Sequence, residues 1–226
     1  MKIGVFGTGM AGRALAGRFA ELGHDVLIGT RDPAATMART EPEMTGTAPF
    51  SAWAADHSAI RLVTFAEAAA VAELVVNATG GGSSVAALGM ADPADLDGKV
   101  LLDVANPLDF SGGLPPTLFV KDTDSLAEQI QRAFPGARIV KSLNTLNADL
   151  MIEPGRIGAG DSTVFVSGDD PEAKAVVRAL LGELGWRDVI DLGGLATARG
   201  AEMVLPLWLS LMGTLGTPFF NFKIVR

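Results

Sequence analysis

MKIGVFGTGMAGRALAGRFAELGHDVLIGTRDP, residues 1 to 33, decides how the rest of the chain is read. Lys2 to Phe6 is a short apolar run ending in glycine, the pattern of a buried strand entering a turn. The turn is Gly7-Thr8-Gly9-Met10-Ala11-Gly12, and Leu15, Phe19 and Leu22 then recur at helical spacing. A GxGxxG string alone says little, but strand, glycine turn and helix in that order form the dinucleotide fingerprint. Gly7 permits the tight turn, Gly9 lets the backbone approach a pyrophosphate, and Gly12 lets helix and strand pack closely. Thr8, Met10 and Ala11 complete the loop whose amides, at a helix N-terminus, receive phosphate oxygens.

The second strand, Asp25 to Gly29, is followed by Thr30 and Arg31. An acidic residue here would accept hydrogen bonds from both ribose hydroxyls of NAD and repel a 2′-phosphate. A hydroxyl and a guanidinium instead favour NADP, and Arg31 is also able to stack on the adenine. Asp32 competes for the NAD role, but an Asp directly before Pro33 is better explained as a helix N-cap with proline at the first helical position.

Working outward, strands are expected at Arg61–Thr64, Leu74–Ala78, Lys99–Val104, Ala137–Ser142, Ser162–Ser167 and Asp188–Asp191. Helices are expected at Phe65–Ala72, from near Ser84, at Ser125–Phe134 capped by Asp124, from near Asn147, and at Pro171–Leu184. Residues 34 to 60 read as short helices and loops, Phe110 to Pro116 as a loop, and Gly193-Gly194 as the turn into one long terminal helix. Alternation of strand and helix gives an α/β Rossmann fold, a doubly wound parallel sheet with a small C-terminal α/β portion. Element count puts the division at residues 1–144 for the dinucleotide-binding domain and 145–226 for the smaller substrate or dimerisation portion.

Ligands of parallel sheets lie beyond the strand C-termini, which singles out three loops. Asn77-Ala78-Thr79-Gly80-Gly81-Gly82-Ser83-Ser84 carries three successive glycines, costly in entropy unless a cofactor ribose or a substrate approaches closely. Asn77, Ala78 and Thr79 are read as cofactor-binding, and Gly80 and Gly81 as facing substrate. Asn106 suits the nicotinamide amide or ribose, with Pro107 stiffening its turn. Asn144 and Thr145 lie where a substrate would meet the nicotinamide end, although capping of the helix near Asn147 explains part of that loop.

The 226 residues are 48% apolar, enough for a sizeable core, and carry a net charge of −8 with no basic run, so nucleic acid and anionic membranes are not expected partners. Absence of cysteine removes disulfides, thiolate nucleophiles and thiolate zinc sites, and two histidines, His24 and His57, make no metal cluster. His24, between a helix end and the second strand, reads as structural. A strand starting at the N-terminus leaves no room for a signal peptide, and cytoplasm is expected. Met203 to Phe220 is uncharged, but its prolines and glycines suit a buried, pocket or interface helix better than a membrane span. Leu207, Leu211 and Leu215 share one helical face, which points to a homodimer.

GTGMAGRALA, GTRDP, the LNTLNADLM loop and Ala196-Thr197-Ala198-Arg199-Gly200-Ala201-Glu202 together resemble the NADP-dependent coenzyme F420 oxidoreductase family, which includes the deazaflavin:NADPH oxidoreductases and, more distantly, the reductase domain of the STEAP metalloreductases. The resemblance implies hydride transfer between NADPH and the deazaflavin F420 as co-substrate, with the two rings stacked in a cleft. It also implies that Thr8, Met10, Thr30 and Arg31 contact NADP, and that the C-terminal portion closes over the cofactor and dimerises. The loop Asn77–Ser84 departs from the apolar, proline-bearing segment of that family. Ring-to-ring transfer needs alignment rather than an acid or base, which suits a chain with no evident catalytic side chain. Two other readings stay open: an NADPH-dependent carbonyl or imine reductase with Lys141 or Thr145 as proton donor, and a non-catalytic NADP-binding sensor.

Overall fold

In the computed structural model, residues 1–42 and 46–226 are described; residues 43 to 45, within the stretch read as short helices and loops, lie outside the described residues. The chain runs β1 (Lys2–Phe6), α1 (Met10–Glu21), β2 (Asp25–Thr30), α2 (Pro33–Ala38), α3 (Phe50–Asp56), β3 (Arg61–Thr64), α4 (Phe65–Val71), β4 (Leu74–Asn77), α5 (Ser84–Leu88) and β5 (Val100–Asp103). It continues through β6 (Leu108–Asp109), β7 (Thr117–Leu118), α6 (Leu126–Ala133), β8 (Arg138–Ser142), α7 (Ala148–Ile152), β9 (Thr163–Ser167), α8 (Pro171–Glu183), β10 (Asp188–Asp191), α9 (Ala198–Met203) and α10 (Leu205–Leu215).

Eight strands form one sheet in the order β10-β9-β8-β5-β4-β1-β2-β3. The six from β3 to β8 are mutually parallel, and the order reverses between β1 and β4, so their C-terminal ends at Phe6 and Asn77 open the crevice where such sheets bind ligands. Alternate residues of β1 serve the two faces. Ile3 and Val5 join the core under α1, α7 and α8, while Phe6 joins the core under α4, α5 and α6.

The sheet departs from the all-parallel expectation at one place: β9 pairs antiparallel with β8. A parallel partner would require the chain to cross back to the opposite edge. Here residues 143 to 162 instead stay at the strand C-terminal edge, and α7 packs against α1 beside the crevice. The strands β9 and β10, on the C-terminal side of residue 144, belong to the same sheet as β1.

Two local expectations are corrected. Ser125, not Asp124, caps α6, its hydroxyl accepting from Glu128 N at 3.1 Å, because Asp124 is drawn into a 2.7 Å ion pair with Arg132. The loop read at Phe110 to Pro116 is a loop, and it joins the short antiparallel pair β6–β7 on either side of it. The single terminal helix is two, α9 and α10, broken around Val204, where Pro206 in the first turn of α10 lacks the N–H that a continuous helix would need. At 11 residues, α10 is far short of a bilayer, and none of the described helices is long and apolar enough to cross a membrane.

Candidate functional site

The glycine turn has the geometry that its sequence implies. Gly7 sits at φ 119°, and a Cβ there would lie 2.5 Å from the Ala78 carbonyl oxygen. A Cβ on Gly12 would overlap the Gly7 carbonyl, so α1 approaches β1 as closely as backbone permits. At the start of this 12-residue helix, Gly9 occupies the cap position, no side chain caps the exposed amides, and no acidic residue lies in the first turn. Those amides lack intrahelical acceptors and present partial positive charge, which fits the pyrophosphate of a dinucleotide.

At the end of β2 the roles divide. Asp32 caps α2, its carboxylate accepting from Ala35 N at 2.9 Å with Pro33 behind it, so it is spoken for structurally. Thr30 is buried and its hydroxyl bonds Thr36 at 3.0 Å, so that hydroxyl is not displayed at the surface as expected. Arg31 is exposed and, among the described residues, forms no ion pair. Thr8 borders a small hollow with Arg13, Thr36, Arg39 and Phe50. The Arg13 guanidinium donates to the carbonyls of Thr8 (2.6 Å) and Ala48 and lies over the Phe50 ring, tying the segment before α3 to the glycine turn.

From the α1 N-terminus a single continuous cleft of about 1410 Å³ extends across the strand ends. That exceeds the roughly 300–1,000 Å³ typical of a site for one small ligand. One wall is Met10 and Ala11 with the loop Ala78–Ser83; the floor is Val104 to Asn106; the facing wall is Asn144, Leu146, Met151 and Ile152 with Leu205, Trp208, Leu209 and Met212 of α10. Beyond the strand ends, the cleft continues along α1 to Trp53 and His57. His57 stacks on Trp53 at 4.0 Å, and the pair packs on Gly17, where a Cβ would come within 3.3 Å of the imidazole.

Asn77, Pro107 and Thr145 do not line this cleft. Each is buried behind it. Asn77 donates to Asp103 at 2.8 Å and accepts from the Thr79 hydroxyl at 2.7 Å, so it holds Thr79, which does face the cleft. Asn106 and Asn144 both line the cleft and are bonded to each other: Asn106 Nδ2 donates to the Asn144 carbonyl at 2.7 Å, and Asn144 Nδ2 to Asn106 Oδ1 at 3.0 Å. Gly81 is a glycine for an internal reason, since a Cβ would overlap the Asn106 carbonyl; Gly80 and Gly82 have open space in front of them.

Beneath this floor lies a buried ion cluster. Lys141 Nζ meets Asp103 at 2.8 Å and Glu202 at 2.9 Å, with side chains 0 to 2% exposed, and also donates to the Ala105 carbonyl. Glu202 in turn accepts from the amides of Leu126 and Ala127 at the start of α6. Burial alone would lower the ammonium pKa, but the two carboxylates outweigh it and raise it. All three protons of Lys141 are committed, and Thr145 does not reach the cleft. A carbonyl or imine reductase built on either as proton donor has no donor in place.

The remaining expectations divide similarly. Asn147 caps α7, accepting from Leu150 N at 2.8 Å while donating to the Pro218 carbonyl. His24 bridges Glu183 at 2.8 Å, a structural link. Sequence reading did not identify Leu146, Met151 and Trp208 as cleft residues. For Trp208 the uncharged run from Met203 to Phe220 was the available signal, and Leu205, Trp208, Leu209, Met212 and Pro218 of that run line the cleft.

The family model described as "NADP oxidoreductase coenzyme F420-dependent" matches residues 2–107. The F420-dependent NADP reductase of Methanothermobacter thermautotrophicus is 30% identical over 93% of this chain and 89% of its own. The rat metalloreductase STEAP3 is 29% identical over 92% of this chain, a region amounting to 38% of STEAP3. A crystal structure of a candidate F420-dependent NADP reductase from Arthrobacter sp. FB24 superposes with a TM-score of 0.96 at 61% identity, covering both chains fully. An NADPH-bound reductive aminase from Aspergillus terreus, at 19% identity and a TM-score of 0.63, shares the fold alone.

Proposed function

Because the chain belongs to the family of coenzyme F420-dependent NADP oxidoreductases, we propose that it transfers hydride between NADPH and a deazaflavin of the F420 type. The observation that carries this reading is the single cleft joining an uncapped helix N-terminus, suited to a pyrophosphate, to an apolar wall suited to a flat ring. NADPH supplies the hydride. The protein binds, aligns and excludes water, which is what a ring-to-ring transfer asks of it.

In this reading the amides and small side chains of Gly7 to Gly12, with Thr8, Met10 and Ala11, hold the pyrophosphate. Arg31, with the backbone of Thr30, receives the 2′-phosphate. Ala78, Thr79 and Asn106 orient the nicotinamide half, with Asn77 and Pro107 supporting them from behind. Gly80, Gly81 and Asn144 border the acceptor, with Thr145 buried next to Asn144. Leu146, Met151 and Trp208 supply the apolar surface opposite.

Residues 1–144 then act as the dinucleotide-binding unit and 145–226 as the part that closes on the acceptor. Leu207 and Leu215, 54% and 53% exposed on α10, are the proposed contact of a cytoplasmic homodimer. A sedimentation coefficient that stays monomeric at high protein concentration would remove that part of the proposal. The activity is tested by mixing protein, NADPH and oxidised F420 and following loss of the deazaflavin's visible band. Fast protein-dependent loss is expected; no loss with NADPH binding intact would reject the acceptor.

A further inference from the structure

Trp208 is 9% exposed, and one face of its indole stacks on Phe220 with ring centroids 5.2 Å apart. Its Nε1 is closed to water and has no hydrogen-bond partner among the described residues. The contrast with Trp186 is informative: that indole, also buried, donates to the Met151 carbonyl at 3.0 Å. A buried N–H left unpaired costs free energy that phenylalanine, with the same stacking surface, would not incur. The residue lines the cleft on the wall that also carries Leu205, Leu209 and Met212, while its Nε1 is itself covered, so the unspent donor reaches the proposed acceptor space by a turn of the indole.

The surroundings define what would take that hydrogen bond. The α10 wall is uncharged from Leu205 to Leu215 and so offers an anion no cation of its own, and Asp149, which lines the cleft from α7, is paired with Arg156 at 3.5 Å. A neutral donor in an apolar wall matches a neutral acceptor atom on a flat ring, a ring carbonyl oxygen or an imine-type ring nitrogen, rather than a phosphate or carboxylate. We infer that Trp208 is a specificity-determining residue whose indole N–H turns toward the cleft and donates to a ring carbonyl or ring nitrogen of the hydride acceptor. The inference rests on the hydride-transfer reading above and deepens it: the acceptor is a planar carbonyl-bearing heteroaromatic recognised by its ring, with any anionic tail left outside this wall.

The test pairs Trp208→Phe with a measurement on the unmodified protein. W208F keeps the ring and the stack on Phe220 and removes the donor. It should raise the KM for oxidised deazaflavin roughly 3- to 10-fold, the range of one neutral hydrogen bond, and leave the Kd for NADPH within about twofold. In ¹H–¹⁵N spectra of the NADP⁺-bound wild type, the indole resonance missing from W208F should move downfield as oxidised deazaflavin is added. An unchanged KM with an unmoved resonance overturns the inference, as does an equal loss of NADPH binding, which would mean that α10 had shifted. If the wild type binds NADPH but does not turn over deazaflavin, the activity proposal fails on its own. The same titration with riboflavin and menadione then decides Trp208, and no shift with either overturns it.

Discussion

Replacing Lys141 with methionine keeps most of the stem volume and removes the ammonium that separates Asp103 from Glu202. Two carboxylates are then left with side chains 0 and 2% exposed, without the cation that met them at 2.8 and 2.9 Å. Breaking a buried pair from one side costs about 3–5 kcal/mol. The low end applies here, because Asp103 keeps bonds from Asn77 and Ala105 N, and Glu202 keeps those from Leu126 and Ala127 N. For a chain of this length each kcal/mol moves the midpoint about 2–4 °C, so a loss of about 3 kcal/mol lowers Tm by about 6–12 °C. Urea unfolding gives the free energy directly. K141M/E202Q, with one buried charge fewer, should regain at least about 1 kcal/mol.

The pH dependence has a defined sign. The ammonium pKa is raised in the folded protein above its ordinary 10.5, so its stabilisation is complete below that value and is lost only as pH rises through the folded pKa. The difference between wild type and K141M should therefore be flat through neutrality and close in strong alkali. A loss under about 1 kcal/mol, or no recovery in the double variant, would refute the assignment of this cluster as a tightly coupled support for the cleft floor.

Arg31→Ala should weaken NADPH binding about 10- to 150-fold, the equivalent of a charged hydrogen bond, and leave NADH within about twofold by titration; equal losses would remove the 2′-phosphate role. Gly81→Ala places a methyl group on the Asn106 carbonyl and should lower kcat at least about tenfold with the far-UV spectrum intact, whereas Gly82→Ala, facing open space, should stay within about twofold. The Arg132 guanidinium holds the Asp124 carboxyl down to about 2, against an ordinary 3.8. Its contribution is present above about pH 4 and lost as pH falls toward 2. With Arg132 60% exposed, Asp124→Asn should cost at most about 1 kcal/mol at pH 7 and nothing near pH 2, read by chemical unfolding at both values.

The first third of the fold was legible because its signals are local: glycines at fixed offsets, a capping Asp before Pro33, and strands of four to six apolar residues. The reversal at β9 was not, since a strand carries no mark of its direction when both neighbours are buried. Asn77 and Asn106 were placed correctly at strand ends. Periodicity does not say whether a polar side chain there turns out to a ligand or down to Asp103 and Asn144. The same limit hid the two acidic partners of Lys141, which come from 38 residues upstream and 61 downstream in the chain. Trp208 sat in a run whose composition fitted a pocket, an interface and a core equally well.

Direct passage of hydride between two rings is tested most plainly by isotope. NADPH carrying deuterium at one or the other C4 position is mixed with the protein and oxidised deazaflavin in ordinary water, and the reduced deazaflavin is weighed by mass spectrometry. One deuterium per molecule from one C4 epimer and none from the other is the result that an aligned cleft requires. Label from neither epimer, with the deazaflavin nonetheless reduced, would contradict it.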